Sequence, residues 1–141
     1  MKKIYLLVTT FALAIFSVGQ LFSQTITVTG ALNAFAKCSG SVSASQDFAV
    51  AGAALNDDIE IAALAGLEYS VDDVTFSSTL TLAHTAGAVA STDVYVRMTA
   101  GDNVTIPGGS NISLTSTGAV TRTVAVSGTV TTLPVATFSY A

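Results

Sequence analysis

Acidic side chains are the residues of this chain whose types and spacing come closest to a chemical site. Two adjacent Asp pairs and two Glu residues lie in one region: Asp57, Asp58, Glu60, Glu68, Asp72 and Asp73. Calcium takes several carboxylate oxygens, so this grouping raises a calcium hypothesis. No loop has the regular Asp-x-Asp-x-Asp spacing of a dedicated calcium loop, and Asp is common in turns because it bonds nearby backbone. We therefore expect solvated turns and faces, and keep Asp57, Asp58, Asp72 and Asp73 as weak calcium candidates.

A catalytic site is harder to assemble from this sequence. His84 is the one histidine, and it follows a predicted strand that ends at Ala83, where a plain surface role is expected. Any Ser-His-Asp triad would have to share it, and no serine lies in a nucleophile-elbow sequence. We predict no catalytic residue, no bound cofactor and no enzymatic activity.

Cys38 is the one cysteine, so the chain cannot form an internal disulfide. Free cysteine usually behaves as a small core hydrophobe, and we therefore favour a buried, inert thiol. Pairing with a thiol outside this chain is the alternative.

A recognition surface is the remaining hypothesis for a site. Tyr95 and Arg97 alternate with apolar residues and are predicted on the outward face of a strand, and both types are enriched at interfaces. The simpler interpretation of Arg97 is a cross-strand partner for an acid such as Glu68. Tyr69 and Phe76 are expected in the core. Since the chain has no Trp, a carbohydrate-stacking platform is poorly supported.

The N-terminal residues have the pattern of a secretory signal peptide, which we assign to residues 1–24. Lys2-Lys3 is followed by an apolar run from Ile4 to Val18 and a small-residue exit from Gly19 to Gln24. Cleavage after Ser23 would leave Gln24 first, and cleavage after Gly19 is the competing site. No other segment is long and apolar enough to span a membrane, so the sequence predicts a secreted or cell-surface protein.

Charge argues against nucleic acid as a partner. Charged residues are 10% of the chain, against about 25% in ordinary soluble domains. Beyond Lys2 and Lys3 the chain has three cations and nine acids, a net charge of −6. Phosphate contacts need clustered Lys and Arg, which this chain lacks. We expect solubility to come from outward-facing Ser and Thr.

Alternation of apolar and hydroxyl residues predicts an all-β fold. Its clearest runs are Leu67–Val71, Thr79–Leu82, Asp93–Met98 and Thr123–Ser127. A period of two buries one face of a strand and wets the other. Seven or eight such strands over residues 25–130 predict an immunoglobulin-like antiparallel β-sandwich, and a small up-and-down barrel is the runner-up. Residues 131–141 are interpreted as a linker and the first strand of a following module.

These runs together resemble the immunoglobulin-like repeats of large secreted surface proteins of Bacteroidota, including gliding adhesins. The resemblance covers Leu32 to Val130 and is carried by structural motifs, listed in chain order: Ser45–Gly52, Leu67–Val71, Phe76–Leu82, Val94–Arg97, Ile112–Ala119 and Val124–Val130. Cys38 in its Cys-Ser-Gly context also looks like the family pattern. The resemblance implies tandem modules exported by the type IX route, and the run from Val135 resembles the opening of a following repeat.

Three functions follow as hypotheses. The first is a non-catalytic structural or adhesive module that acts as a spacer or binding surface, with neighbouring immunoglobulin-like modules or other surface proteins as partners. The second is a self-assembling subunit whose segment Val135–Tyr140 adds to the sheet of a neighbour. The third is an accessory domain that binds extracellular glycans.

Overall fold

The computed structural model describes residues 23–101 and 104–132, and every regular element in these ranges is a β-strand. In chain order the strands are β1 (Thr25–Thr29), β2 (Phe35–Cys38), β3 (Gln46–Ala53), β4 (Ile59–Ile61), β5 (Leu67–Ser70), β6 (Leu80–Leu82), β7 (Val89–Met98), β8 (Ile106–Thr115) and β9 (Arg122–Thr131). The predicted signal peptide, apart from Ser23 and Gln24, and the predicted strand Val135–Tyr140 lie outside the described residues. Residues 23–101 and 104–132 contain no helix of the length and apolar character that a membrane crossing requires.

The nine strands form two sheets packed face to face. One sheet has the order β1-β3-β7-β5 and is antiparallel throughout. The other has the order β2-β9-β8-β4-β6. Its β2–β9 pair is parallel, with Phe35 opposite Gly128 and Cys38 opposite Thr131. The predicted all-β sandwich is therefore present, with one parallel pair in an arrangement that we expected to be antiparallel.

Apolar residues of both sheets interdigitate in the core, as the alternation predicted. Val94, Val96 and Met98 of β7 are fully buried, and Ile112 and Leu114 of β8 face them from the other sheet. Removing such side chains from water is the main favourable term in folding. The outward positions between them are hydroxyl-bearing or charged, so the outer faces of both sheets are polar.

Tyr69 is the largest fully buried side chain. Its hydroxyl donates to the carbonyl oxygen of Ala62 at 3.2 Å, which satisfies the one polar atom of the ring. Burial raises the pKa of this phenol to about 12. Tyr69 therefore stays neutral in the core, as expected for a structural residue.

Two predicted core positions on either side of the β5 turn are wrong. Val71 is 50% exposed, because β5 ends at Ser70 and the chain turns away from the sheet. Phe76 is half-buried on the outer face of its sheet.

Strand boundaries differ most at β7 and β8. β7 begins four residues before the predicted Asp93, at Val89, and β8 begins at Ile106. β8 includes Pro107-Gly108-Gly109, residue types that are typical of turns. The register of the β8–β9 pair shifts between Ile106 and Ser110, an irregularity that accommodates these three residues. The two strands pair on both sides of it.

Candidate functional site

The predicted recognition residues Tyr95 and Arg97 lie on the outer face of the four-stranded sheet. The β5–β7 register places Arg97 directly opposite Glu68, and Arg97 Nε lies 2.6 Å from Glu68 Oε1. The expected cross-strand ion pair is therefore confirmed. Both side chains are partly covered, at 28% and 20% exposure, so the pair is less screened than a fully exposed one.

Phe76 completes this surface from a loop. The Arg97 guanidinium carbon lies 3.6 Å from the centroid of the Phe76 ring, a cation–π stack. Ser77 holds the loop in place, because it exchanges two backbone hydrogen bonds with Tyr69, at 2.7 and 2.9 Å. The cluster Glu68–Arg97–Phe76, with Tyr95 beside it, is a half-buried surface whose one cation is paired with Glu68.

Asp72 builds the turn that carries Phe76 back onto the sheet. Its Oδ1 accepts from the Ser70 hydroxyl at 2.6 Å and from the backbone N–H groups of Val74 and Thr75 at 2.9 and 2.7 Å. The Ser70 hydroxyl, followed by these two N–H groups, holds the pKa of the Asp72 carboxyl far below its usual range. Asp73 follows in the left-handed region, with φ at 56°. This acidic pair is a hydrogen-bonded turn.

The second acidic pair, Asp57 and Asp58, directly precedes β4 of the five-stranded sheet. Asp58 Oδ1 accepts from the backbone N–H of His84 at 2.9 Å and lies 2.8 Å from His84 Nδ1. The backbone N–H of His84, and then its ring, lower the pKa of the Asp58 carboxyl. Asp57 accepts from Thr117 Oγ1 at 2.9 Å through Oδ2. The backbone oxygen of Asp57 accepts from Ser116 Oγ at 2.9 Å.

The His84–Asp58 contact was missed by the sequence analysis, which treated His84 as plain surface. The two residues are 26 positions apart, and they meet because β4 pairs with β6 in the register Ile59 opposite Leu82. The positions of these residues in the sequence do not reveal that β4 and β6 pair, or in which register. Only a correct prediction of the β4–β6 pair would have placed His84 beside the acids.

The chemistry available to this cluster is limited within the described residues. Asp57, Asp58 and Glu60 line an open cleft of about 230 Å³ together with Thr115, Ser116 and Thr117. Over residues 23–101 and 104–132 His84 is hydrogen-bonded to Asp58, and no Ser or Thr hydroxyl is hydrogen-bonded to it. The same residues contain no group of three or more His, Cys, Asp or Glu side chains arranged to hold a metal ion.

Cys38 is exposed, which contradicts the buried thiol that we favoured. Along β2 the exposure alternates, with Phe35 and Lys37 buried and Ala36 and Cys38 outward. Lys37 takes the inward position because its ammonium group donates to the carbonyl oxygen of Thr99, while its aliphatic stem lies in the protein. Lys37 therefore occupies the buried position of β2, and the neighbouring Cys38 points outward.

Comparison with known proteins adds no family assignment: no family model, curated protein or solved structure matches this chain.

Proposed function

We propose that this chain is a non-catalytic structural module of immunoglobulin-like type from an exported bacterial surface protein, acting as a spacer or as a binding surface. The observation that carries the proposal is the strand order. β1-β3-β7-β5 corresponds to the A-B-E-D sheet of a constant-type immunoglobulin domain, and β9-β8-β4 corresponds to its G-F-C sheet.

The module departs from that pattern between β4 and β7. β5 pairs with β7 in the position of strand D, and β6, which follows it in sequence, pairs with β4 beside strand C. The chain therefore passes from one sheet to the other at each of these steps. The loops that make the crossings carry Phe76 and His84, so both candidate surfaces belong to this departure from the common fold.

A non-catalytic role is supported by how the polar side chains are used. Asp58 and Asp72 both accept hydrogen bonds that close turns or join loops. Arg97 is bound to Glu68 and Arg122 donates to the carbonyl oxygen of Ile26. These groups serve the architecture, and the rest of the outer surface is rich in Thr and Ser.

Export can be tested directly. The full chain with a C-terminal epitope tag is expressed in a Gram-negative bacterium, and the mature N-terminus is read by mass spectrometry. We expect a chain that begins at Gln24 or Gln20 and reaches the periplasm or beyond. A chain that keeps Met1 and stays in the cytoplasm would contradict the proposal.

Self-assembly by strand addition is the second candidate, and one observation favours it. In the described chain β2 pairs on one side only, with β9, whose last residue Thr131 lies opposite Cys38. A strand at the edge of a sheet is a template for another strand. The strand proposed to add there is Val135–Tyr140 of a neighbouring copy.

A further inference from the structure

The route of the chain through the fold gives the module two opposite poles. Gln24 lies against Gly118 in the β8–β9 turn, and the Arg122 Nε donates to the Ile26 carbonyl oxygen at 3.0 Å. We call this end the entry pole. At the other end, the exit pole, Cys38 lies opposite Thr131. β9 connects the two with 10 residues, about 30 Å at the usual rise of a strand.

From this geometry we infer that the module carries tension along its long axis, with residues 24–38 and β9 as the load path. The first segment runs in the same direction as β9, since β1 starts beside the start of β9 and β2 ends beside its end. A pull on the two ends drags residues 24–38 toward the entry pole and β9 toward the exit pole. The β2–β9 hydrogen bonds lie across that direction and are loaded together, in shear.

Four side chains fasten the first segment against such sliding, those of Arg122, Gln46, Phe35 and Lys37. Arg122 holds the Ile26 carbonyl in β1. In the crossover between β1 and β2, the Gln46 side chain accepts from the Asn33 N–H at 2.8 Å and donates to the Asn33 carbonyl at 3.2 Å.

β2 itself is fastened twice. Phe35 is buried to 2% exposure, and its Cβ lies so near Gly128 that a methyl group added there would be 3.2 Å away. Two residues on, Lys37 donates to the Thr99 carbonyl at the end of β7. At its exit-pole end the Ser39 N–H donates to the Thr131 carbonyl at 3.0 Å. Sliding β2 toward the entry pole would break these contacts together.

Two pulling directions on the same chain test the inference. In the first, DNA handles are attached to cysteines introduced at exposed positions in Thr25→Cys/Cys38→Ser/Thr132→Cys, so that the chain is stretched from pole to pole. In the second, the handles are attached to the native Cys38 and to Thr132→Cys, which lie at the same pole. That pull opens the β2–β9 pair one hydrogen bond at a time.

We expect the unfolding force measured in optical tweezers to be severalfold higher for the pole-to-pole direction. Equal forces in the two directions, or a higher force for the Cys38 direction, would overturn the inference. Urea unfolding of both full-length variants serves as the control for equal folding stability, because all the substituted positions are exposed.

Gln46→Ala tests whether the crossover between β1 and β2 bears part of the force. Asp47→Ala, at the neighbouring exposed position of β3, is the matched control. We expect the first to lower the pole-to-pole force and the second to leave it unchanged. An unchanged force in Gln46→Ala would remove the crossover from the load path. The inference rests on the proposed spacer role only for its biological use. A failed export assay leaves the force ratio standing, and equal forces leave the export result standing.

Discussion

Arg97 and Glu68 face each other on adjacent strands with 2.6 Å between Nε and Oε1, and Phe76 covers the guanidinium from outside. The three side chains come from β5, β7 and the loop after β5. Arg97 of β7 thus contacts both β5 and the loop after it, on the outer face of the four-stranded sheet.

Arg97→Ala is expected to destabilise the chain by about 1 kcal/mol, the sum of a partly exposed ion pair and a cation–π stack. Arg97→Lys should recover part of this, since it keeps the charge and loses the planar stack. Urea unfolding measures both, with Thr27→Ala as an outward control on the same sheet. A loss below the error of the control would show that the contact contributes nothing.

Acid stability is expected to depend on Asp72. Because the pKa of its carboxyl is lowered in the folded chain, its contribution is fully present above the unfolded value of about 3.9 and is lost as pH falls through the folded value. Asp72→Asn should therefore be less stable than the parent at pH 7, and the difference should shrink below pH of about 4. Urea unfolding across this range provides the measurement; a difference that grows on acidification would contradict the sign.

Asp58→Asn tests the contact with His84 in the same way. The pKa of Asp58 is also lowered, so the stabilisation is again expected above pH of about 4 and lost in acid. His84→Ala removes the ring and keeps the backbone N–H, which is the first cause of the shift. NMR titration of Asp58 should therefore find a pKa that remains lowered in His84→Ala. A return to the ordinary value would assign the effect to the ring instead.

Gly128→Ala is expected to loosen the seat of β2. A methyl group there would lie 2.7 Å from Met98 Sδ and 3.2 Å from Phe35 Cβ. Overpacking of this kind costs about 1–3 kcal/mol. Gly101→Ala is the matched control, because nothing lies within 4 Å of a methyl group at that position. Equal midpoints of urea unfolding for the two variants would contradict the crowding.

Removal of residues 133–141 separates the two proposed functions. The deletion keeps Thr131, which belongs to β9 and pairs with Cys38. For a spacer module, light scattering should give a monomer for both the full chain and the shortened chain. A larger mass that disappears on deletion would favour strand addition.

The sequence predicted which faces are buried much better than which strands are neighbours. Val94, Val96 and Val126 point inward as their alternation required. Alternation fixes the face of a strand, and it carries no information on the partner. The parallel β2–β9 pair and the β4–β6 pair therefore could not be predicted, and the contact of His84 with Asp58 depends on the second of them.

Local sequence patterns predicted only part of the Glu68–Arg97–Phe76 cluster. The turn at Asp72 was expected from its residue type, and the Glu68–Arg97 pair from the outward positions of both residues. Phe76 was expected in the core because aromatic rings usually are. Its position over Arg97 follows from the hydrogen bonds of Asp72 and Ser77, and from the β5–β7 pairing that brings Arg97 beside the loop.

Pairing β2 with β9 also constrains when the module can fold. Phe35 meets Gly128 about 90 residues further along the chain, and such distant contacts form slowly because a long loop must close first. While β9 is still inside the ribosome, the five-stranded sheet is incomplete. This delay keeps the polypeptide unfolded until β9 has been made.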